Sequence, residues 1–479
     1  MNDRISSLLT SDGMPRTRDT LAAILILSWP AILEQIMITL VQYVDTAMVG
    51  SLGSAATAAV GLTASTTWLF GGLFGAAAVG FSVQVAQHLG AGREEDAKSV
   101  TWQALRFVVL FGLLIGAIGV ALSFPLPAML RAQKEIRGDA SLYFRIMACA
   151  MPFTFGSNMF SSILRCAGDT KTPMLLNLLT NVLNVILNTL FIYPARTVSL
   201  LGASFPMWGA GWGVGGAAFA SACSNVTVCI LFTLTIFLKN SPVRITMKRR
   251  YSFEKSCLLT VWRLGLPVAL ERTLTSLAQV IITSLIAGIN TVAVAANHLA
   301  VTAESLSYMP AYGIATAATT LVGQSVGAGR KELAKRFARL ISWLGVGLMT
   351  IGGLVLFVFA PQLITIFTSD PEVIALGTQV LRIVAFAEPL FGASIVASGA
   401  LRGAGDSKVP FLLSLGTMWG VRVALSLLLV GPLGLAGVWL AMAAELSARG
   451  LVFMVRLYRG RWLNIDLFRT SKKPEPKNS

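Results

Sequence analysis

Charged residues are scarce in this chain, and their scarcity excludes an ordinary soluble domain. Of 479 residues, only 13% are Asp, Glu, Lys or Arg, while 55% are hydrophobic. A soluble domain carries roughly 25% charged residues. No stretch alternates polar and apolar residues with a period of two, which argues against the strands of a membrane barrel. The apolar residues instead form runs of about 20, long enough to cross a ~30 Å hydrocarbon core as helices.

Groups that carry enzymatic or metal chemistry are equally sparse. The five cysteines and two histidines show no paired metal-ligand spacing, and buried structural thiols are the ordinary interpretation of such cysteines. The loops 90–93 and 327–330 (Gly-Ala-Gly-Arg) resemble phosphate cradles, but they lack the Lys-Ser/Thr of a P-loop and a preceding strand. No nucleophile-base pairing is present. We therefore predict that the chain is not an enzyme and uses no cofactor.

The chain repeats itself at an offset of 237 residues. Pro30 and Glu34 return as Pro267 and Glu271, and both halves contain a Gly-Ala-Gly-Arg loop and a Leu-Arg-x-Ala-Gly-Asp-x-Lys-x-Pro segment. Six predicted spans fall in each half, so the second half enters the membrane from the same side as the first. The repeats are therefore parallel, and two such halves predict a transporter whose substrate path runs between them.

The predicted fold is an all-α integral membrane protein with twelve transmembrane helices in two parallel six-helix repeats. The spans are 20–48, 57–88, 99–124, 139–163, 173–194, 213–238, 255–288, 292–325, 335–360, 372–400, 409–431 and 434–458. The organisation is an N-terminal segment 1–19, an N-lobe 20–238, a basic linker 239–254, a C-lobe 255–458 and a tail 459–479.

The chain has a net charge of +16, and its lysines and arginines lie mostly on one side of the predicted membrane. The linker, the tail and the loops after spans two, four, eight and ten hold most of the lysines and arginines. The opposite side has few, namely Arg131, Lys134, Arg137 and Arg196. The positive-inside rule then predicts that both termini and the linker are cytoplasmic. The basic excess is a topology signal, and we predict no nucleic-acid partner.

The outer loop of the first half is longer than its counterpart. The repeats fall out of step after span five, and the first half has 16 extra residues around positions 196–212, because the offset drops from 237 to 221. Glycine and aromatic residues there indicate either a folded outer flap or a plain longer connection.

Ionisable side chains inside spans cost about 2.5–3.5 kcal/mol each, so each one needs an explanation. Glu34 and Asp45 share span one. Eleven residues at ~100° each place both on one face, ~16 Å apart along the helix. Pro30 lies four residues before Glu34 and permits a helix bend. Gln42 lies near Asp45 without sharing its face.

Span five presents four carboxamides on one face. Asn177, Asn181, Asn184 and Asn188 have offsets of 0, 4, 7 and 11 residues, which is a helical stripe. In a membrane such a stripe needs polar partners. It forms either a cavity wall that helps bind a cation or hold a proton on Asp45, or a seam of interhelical hydrogen bonds.

The second half lacks these groups and carries others. Ile282 stands opposite Asp45, so we expect asymmetric coupling chemistry. The acidic residues that we assign to a substrate or cation cavity in this half are Glu271, Glu304 and Glu388, and the nearby arginines are Arg272, Arg382 and Arg422.

Two of these carboxylates, one in each half, have an alternative explanation. Glu34 and Glu271 each follow a proline by four residues, so they are either cavity residues or a matched structural pair near helix bends. Glu388 precedes Pro389, which predicts a kinked turn. Glu304 lies in the middle of a span, where a carboxylate without a function is hard to rationalise.

These features together resemble the multidrug and toxic compound extrusion (MATE) family. The resemblance rests on the Val-Asp-Thr-Ala-Met-Val-Gly run at 44–50, the two loop motifs and the 6+6 repeat. It covers all twelve spans. It implies two six-helix lobes in a V shape and export driven by an inward flow of Na⁺ or H⁺.

The resemblance also implies roles for particular residues. Asp45 matches a first-helix aspartate implicated in cation coupling, Pro30 a proline where that helix bends, and Asn184 an asparagine of the N-lobe cation site. Asn188 stands where some members carry a second aspartate, so this chain has one anionic ligand fewer. Members with a C-lobe site use acidic residues on helices seven, eight and ten, the helices of Glu271, Glu304 and Glu388.

The resulting hypothesis is a secondary active exporter of the bacterial inner membrane. It antiports small organic, often cationic, substrates against H⁺ or Na⁺ by alternating access, with the ion held at Asp45, Asn184 and Asn188. The remaining cavity candidates are Glu34, Gln42, Asn177 and Asn181. No metal other than a transported Na⁺ is expected, and one chain contains both lobes, so a monomer suffices. The alternative is a related flippase of lipid-linked precursors.

Overall fold

The chain is almost entirely helical in a computed structural model that describes residues 8, 13–130, 132–200, 203–246, 251, 253–465 and 467. Arg131, residues 247–250 of the basic linker and the tail beyond 467 lie outside the described residues. The N-lobe contains α1 (Thr17–Gly50), α2 (Ser54–Gly90), α3 (Glu94–Ser123), α4 (Leu126–Met129), α5 (Lys134–Cys166), α6 (Lys171–Phe191), β1 (Pro194–Leu200), β2 (Ala203–Ala210) and α7 (Gly213–Leu238). The C-lobe contains α8 (Lys255–Ala287), α9 (Thr291–Gly327), α10 (Lys331–Val358), α11 (Ala360–Thr365), α12 (Pro371–Ala385), α13 (Glu388–Gly403), α14 (Lys408–Thr417), a π-helix (Met418–Val423), α15 (Ala424–Arg459) and a 3₁₀ turn (Arg461–Asn464).

These helices form the twelve predicted spans. Seven helical stretches of the described residues are long and apolar enough to cross a membrane, and α12 with α13 makes a further span bent by 57°. The bend lies just before Pro389, where the sequence predicts a kink. The longest stretch, 408–459, counts as two spans because its backbone is non-helical at Gly434 (φ 55°, ψ −134°). The remaining spans are α5, α8 and α9, which are 33, 33 and 37 residues long and carry more polar side chains.

The longer outer loop of the N-lobe is folded. β1 and β2 pair as an antiparallel hairpin with Val198 opposite Phe205. At its base Phe191 stacks on Trp212 with ring centroids 5.4 Å apart, and it packs edge to face with Phe219 with ring centroids 5.2 Å apart. We call this face of the molecule the hairpin side and the opposite face, where the basic linker lies, the linker side.

The first helix of each half packs against the other half. Ile24 and Leu27, in the linker-side part of α1, are buried in one hydrophobic cluster with Leu321 of α9. Reciprocally, Val261 of α8 is buried in a cluster with Phe81 of α2. Each of these clusters therefore includes residues of both halves.

The tail also returns to the contact between the halves. After the 3₁₀ turn, Leu467 is only 3% exposed and packs against Val83 of α2 and Leu264 of α8. Trp462 is fully buried, and its indole nitrogen donates to the carbonyl of Leu457 at 2.8 Å.

The linker-side ends of α2 and α9 meet almost backbone to backbone. A Cβ atom at Gly90 would lie 1.9 Å from the carbonyl oxygen of Gln324, and one at Gly327 would lie 2.0 Å from that of Gln87. No side chain fits in either place. The two contacts are related by the offset of 237 residues, so the interface follows the repeat.

Hydrogen bonds from the same two glutamines cross between the lobes. Gln87 Nε2 donates to the Gly403 carbonyl at 3.0 Å, and Gln324 Nε2 donates to the Cys166 carbonyl at 2.9 Å. The two acceptors again differ by 237 in number. All four groups lie at linker-side helix ends, so this side of the molecule is closed.

We predict that Gly90→Ala destabilises the protein, because the added methyl group collides with backbone, and overpacking costs about 1–3 kcal/mol. The measurement is the melting temperature of the purified protein in detergent. Gly71→Ala is the matched control, since it lies in the same helix and a Cβ atom there would have nothing within 4 Å. Equal melting temperatures for the two variants would contradict the tight contact.

Candidate functional site

Asp45 lies at the hairpin-side part of α1, against α6. Its Oδ1 accepts a hydrogen bond from Asn188 Nδ2 at 2.7 Å. Asp45 is half-buried, whereas Asn184 and Asn188 are buried, with exposures of 6% and 1%. Asn188 Oδ1 is also buried and has no hydrogen-bond partner among the described residues. The site therefore joins a carboxylate to an unpaired amide oxygen.

The side-chain amide of Asn184 lies between Asp45 and Ser221. Its nitrogen donates to Asp45 Oδ1 at 2.6 Å and to Oδ2 at 3.2 Å, and its oxygen accepts from Ser221 Oγ at 3.0 Å. The carboxylate of Asp45 therefore accepts hydrogen bonds from the amides of both Asn184 and Asn188.

Glu34 is held in an ion pair away from Asp45. Its Oε1 accepts from Arg165 Nη1 at 2.7 Å and from Asn177 Nδ2 at 2.6 Å. Glu34 is 2% exposed. The pair ties α1 to the linker-side end of α5 and to the start of α6.

The C-lobe repeats this arrangement at equivalent positions. Glu271 Oε2 accepts from Arg402 Nη2 at 2.8 Å, and Glu271 Oε1 accepts from Ser414 Oγ at 3.0 Å. Each partner is offset by 237 from its N-lobe counterpart, with serine in place of asparagine. This geometry favours the matched structural pair over a cavity role, because the carboxylate in each lobe already has a cation and a hydrogen-bond donor.

Glu304 and Glu388 come together in the C-lobe. Both are buried, with exposures of 2% and 0%. They are close enough for their charges to interact with each other, and Glu304 also interacts with Arg422. Glu388 Oε2 accepts from Ser307 Oγ at 2.8 Å, while one oxygen of each carboxylate is buried without a partner among the described residues.

A further buried acid was missed by sequence reasoning. Glu445 on α15 is fully buried, and its Oε1 lies 3.2 Å from Arg449 Nε and accepts from Thr417 Oγ1 at 3.0 Å. The separation of four residues between Glu445 and Arg449 is the available sequence signal, since such pairs meet on one helix face.

The other predicted residues are dispersed. Gln42 is exposed and takes no part in the Asp45 cluster. Asn181 Nδ2 is buried without a hydrogen-bond partner among the described residues. α1 is continuous through Pro30. Tyr43, two residues before Asp45, donates to the Thr302 carbonyl at 3.0 Å and so links the Asp45 helix to α9.

Known proteins share this architecture. A family model described as MatE matches residues 30–190 and 267–428, which are corresponding parts of the two repeats. The chain belongs to the MatE family. The prediction of a twelve-helix, two-lobe membrane fold is thereby confirmed.

Relatives of this MatE protein include bacterial multidrug resistance proteins. It is 29% identical to a probable multidrug resistance protein NorM from Thermotoga maritima, covering 95% of each chain. It is 25% identical to the multidrug resistance protein PmpM from Pseudomonas aeruginosa, over 93% of this chain and 92% of that one. These names describe transporters rather than enzymes, which confirms the prediction that the chain is not an enzyme.

Solved structures agree in fold. An outward-facing multidrug resistance MATE family transporter of the MOP superfamily superposes with a TM-score of 0.86 at 25% identity, covering 96% of this chain and 98% of that one. A MOP superfamily transporter from Pyrococcus furiosus also gives a TM-score of 0.86, at 24% identity and with the same coverage.

We predict that Glu34 and Arg165 contribute to the stability of the protein as a pair rather than independently. Removing one partner of a buried pair costs about 3–5 kcal/mol, whereas removing both costs much less. Glu34→Gln and Arg165→Met should therefore each lower the melting temperature in detergent, and the double variant should regain most of the loss. Glu271→Gln with Arg402→Met is the matched cycle in the other lobe. Additive losses in either lobe would contradict the assignment for that lobe.

Proposed function

We propose that this MatE protein is a secondary active exporter that antiports small organic, often cationic, substrates against H⁺ or Na⁺ by alternating access. Its family and its NorM and PmpM relatives support efflux as the activity. We place the coupling ion at Asp45, Asn184 and Asn188. Two asparagines and one aspartate offer oxygen ligands, which suit Na⁺ or a proton shared with the carboxylate.

The observation that carries this proposal is the position of Asn184 beside the carboxylate. The side-chain amide atom nearest Asp45 lies 2.6 Å from Oδ1. At that distance the amide nitrogen donates to the charged carboxylate, as Asn188 Nδ2 does at 2.7 Å. Asn184 and Asn188 thus hold the carboxylate in place. Asn188 Oδ1, which has no hydrogen-bond partner among the described residues, offers an oxygen ligand to a cation.

The transport cycle follows from these contacts. Ion binding from the hairpin side neutralises a half-buried charge on α1, which lowers the cost of enclosing that part of the helix between apolar neighbours. Pro30 lacks a backbone donor and provides a point where α1 can bend. The bend releases the substrate, and the lobes then rock to expose Asp45 to the linker side. Rocking requires the crossed Gln87 and Gln324 hydrogen bonds to break.

The energy supply is adequate for accumulation. One monovalent ion moving inward provides about 2.3 kcal/mol per 100 mV. That supports roughly a 50-fold gradient of a neutral substrate, since 1.4 kcal/mol is a factor of ten. We also place the protein in the bacterial inner membrane as a monomer, since one chain contains both lobes. The distribution of lysine and arginine orients the linker side and both termini towards the cytoplasm.

We predict that Asp45→Asn abolishes gradient-driven transport, because an amide can neither release a proton nor neutralise a cation. The measurement is uptake of a fluorescent organic cation into inverted vesicles with separately imposed Na⁺ and pH gradients. Asp19→Asn is the matched control, since it makes the same chemical change at an exposed position of α1. Uptake by Asp45→Asn equal to that of the control, at equal protein level, would contradict the assignment.

The same assay distinguishes the C-lobe acids. If coupling depended on Glu304 and Glu388, the double variant Glu304→Gln/Glu388→Gln would lose the gradient dependence and Asp45→Asn would keep it. We expect the reverse, because Arg422 offsets the charge of the buried acids of the C-lobe, whereas no cation among the described residues pairs with Asp45.

We predict that Asn188→Asp increases the dependence on Na⁺. A second carboxylate beside Asp45 adds a negative charge and a further charged oxygen ligand, which strengthens the binding of a metal cation. The Na⁺ concentration for half-maximal uptake in the vesicle assay should fall. Asn181→Asp, on the same helix, serves as the control. An unchanged Na⁺ response of Asn188→Asp would show that Asn188 is not a ligand.

A further inference from the structure

A groove of about 780 Å³ opens on the flank of the C-lobe, away from Asp45. Gln379, Arg382 and Phe386 of α12 line one wall, and Leu440 and Ala444 of α15 line the other. Its position beside the break between α12 and α13 explains the recess, since the chain turns by 57° there. The groove is lined by membrane-spanning helices, so bilayer lipid is the surrounding medium.

Arg382 is an exposed cation in this groove. Its Nε donates a long hydrogen bond of 3.4 Å to the Phe357 carbonyl, and its guanidinium lies 5.6 Å from the centre of the Phe357 ring. Among the described residues no carboxylate lies within ion-pairing distance of it. A guanidinium has five N–H donors, so most of its donors are free for an anion.

The depth of Arg382 fits a lipid headgroup. Phe357 lies one residue before the end of α10, on the hairpin side. The side chain of Arg382 therefore reaches from α12 towards the hairpin-side boundary of the membrane, as long basic side chains do near interfaces. Below it, Phe386, Leu440 and Ala444 provide an apolar surface that continues into the membrane.

The equivalent position in the N-lobe has different side chains around its arginine. Arg145 is the counterpart of Arg382 at the offset of 237, and it lies 5.6 Å from the centre of the Phe124 ring. Where the C-lobe has Gln379, the N-lobe has Leu142. Leu142 packs on α7, with Cδ2 3.2 Å from the Cβ position of Gly215.

The hydroxyl-bearing residues near the two arginines differ as well. Thr378 Oγ1 lies beside the C-lobe groove and has no hydrogen-bond partner among the described residues, whereas its counterpart Ser141 donates to the Ser123 carbonyl at 2.8 Å. Ser447 also lines the C-lobe groove, and at the offset of 221 its counterpart is Val226. The arginine is thus present in both lobes, but the hydroxyl groups of Thr378 and Ser447 beside it have no equivalent setting in the N-lobe.

We propose that this groove is a binding site for an anionic phospholipid of the hairpin-side leaflet. The phosphate binds Arg382, and Gln379 offers a further donor. An acyl chain lies along Phe386, Leu440 and Ala444. The apolar wall favours a lipid over a free phosphate ion, and the uncompensated guanidinium favours an anionic headgroup over a zwitterionic one.

The test is native mass spectrometry of the full-length protein, titrated with phosphatidylglycerol in detergent. The wild type is expected to retain its tightest phosphatidylglycerol about tenfold more strongly than Arg382→Gln does, which corresponds to about 1.4 kcal/mol. Arg145→Gln is the matched control and should bind like the wild type. Phosphatidylcholine should bind the wild type no better than phosphatidylglycerol binds Arg382→Gln.

A second variant tests the groove without altering charge. Ala444→Phe fills the wall opposite Arg382 and should also weaken phosphatidylglycerol binding about tenfold, which covers the case in which Arg382→Gln fails to fold. Retained binding by Ala444→Phe would overturn the placement in the groove. Equal loss in Arg382→Gln and Arg145→Gln, or equal binding of the two lipids, would overturn a specific anionic site.

Discussion

The close approach of α2 and α9 at Gly90 and Gly327 is the constraint on which the two-lobe structure depends. Two backbones can come this near only where neither helix has a side chain. The glutamines three residues earlier, Gln87 and Gln324, then reach across to carbonyls of the opposite lobe. Because the same contact is made twice by the repeat, each lobe is held at two symmetric points, and any rocking motion must break both together.

The two lobes share one scaffold but differ in their ionisable and polar side chains. The Glu34–Arg165 and Glu271–Arg402 pairs are equivalent in position and geometry, which fits a structural role common to both lobes. The ion site that we propose has no such twin, since Ile282 replaces Asp45. The duplicated frame thus carries the proposed cation site in one lobe and a buried group of acids and arginines in the other.

Sequence patterns predicted the features that depend on local order. The spans, the break before Pro389 and the asparagine stripe of α6 follow from hydropathy, proline and helical period. The partner of Glu34 did not follow, because Arg165 lies 131 residues away and its loop position indicated only topology. Glu445 has a sequence signal in Arg449, four residues later, but nothing in the sequence indicates the Thr417 hydroxyl that packs beside it. Such pairings are set by how distant helices pack.

The first helix of each half packs against the other half, which affects how the chain can fold as it is synthesised. An isolated fragment ending at the linker would leave Ile24 and Leu27 without Leu321, and one starting there would leave Val261 without Phe81. Each fragment would therefore lack part of its hydrophobic packing. During synthesis, the linker-side part of α1 stays incompletely packed until α9 has been made.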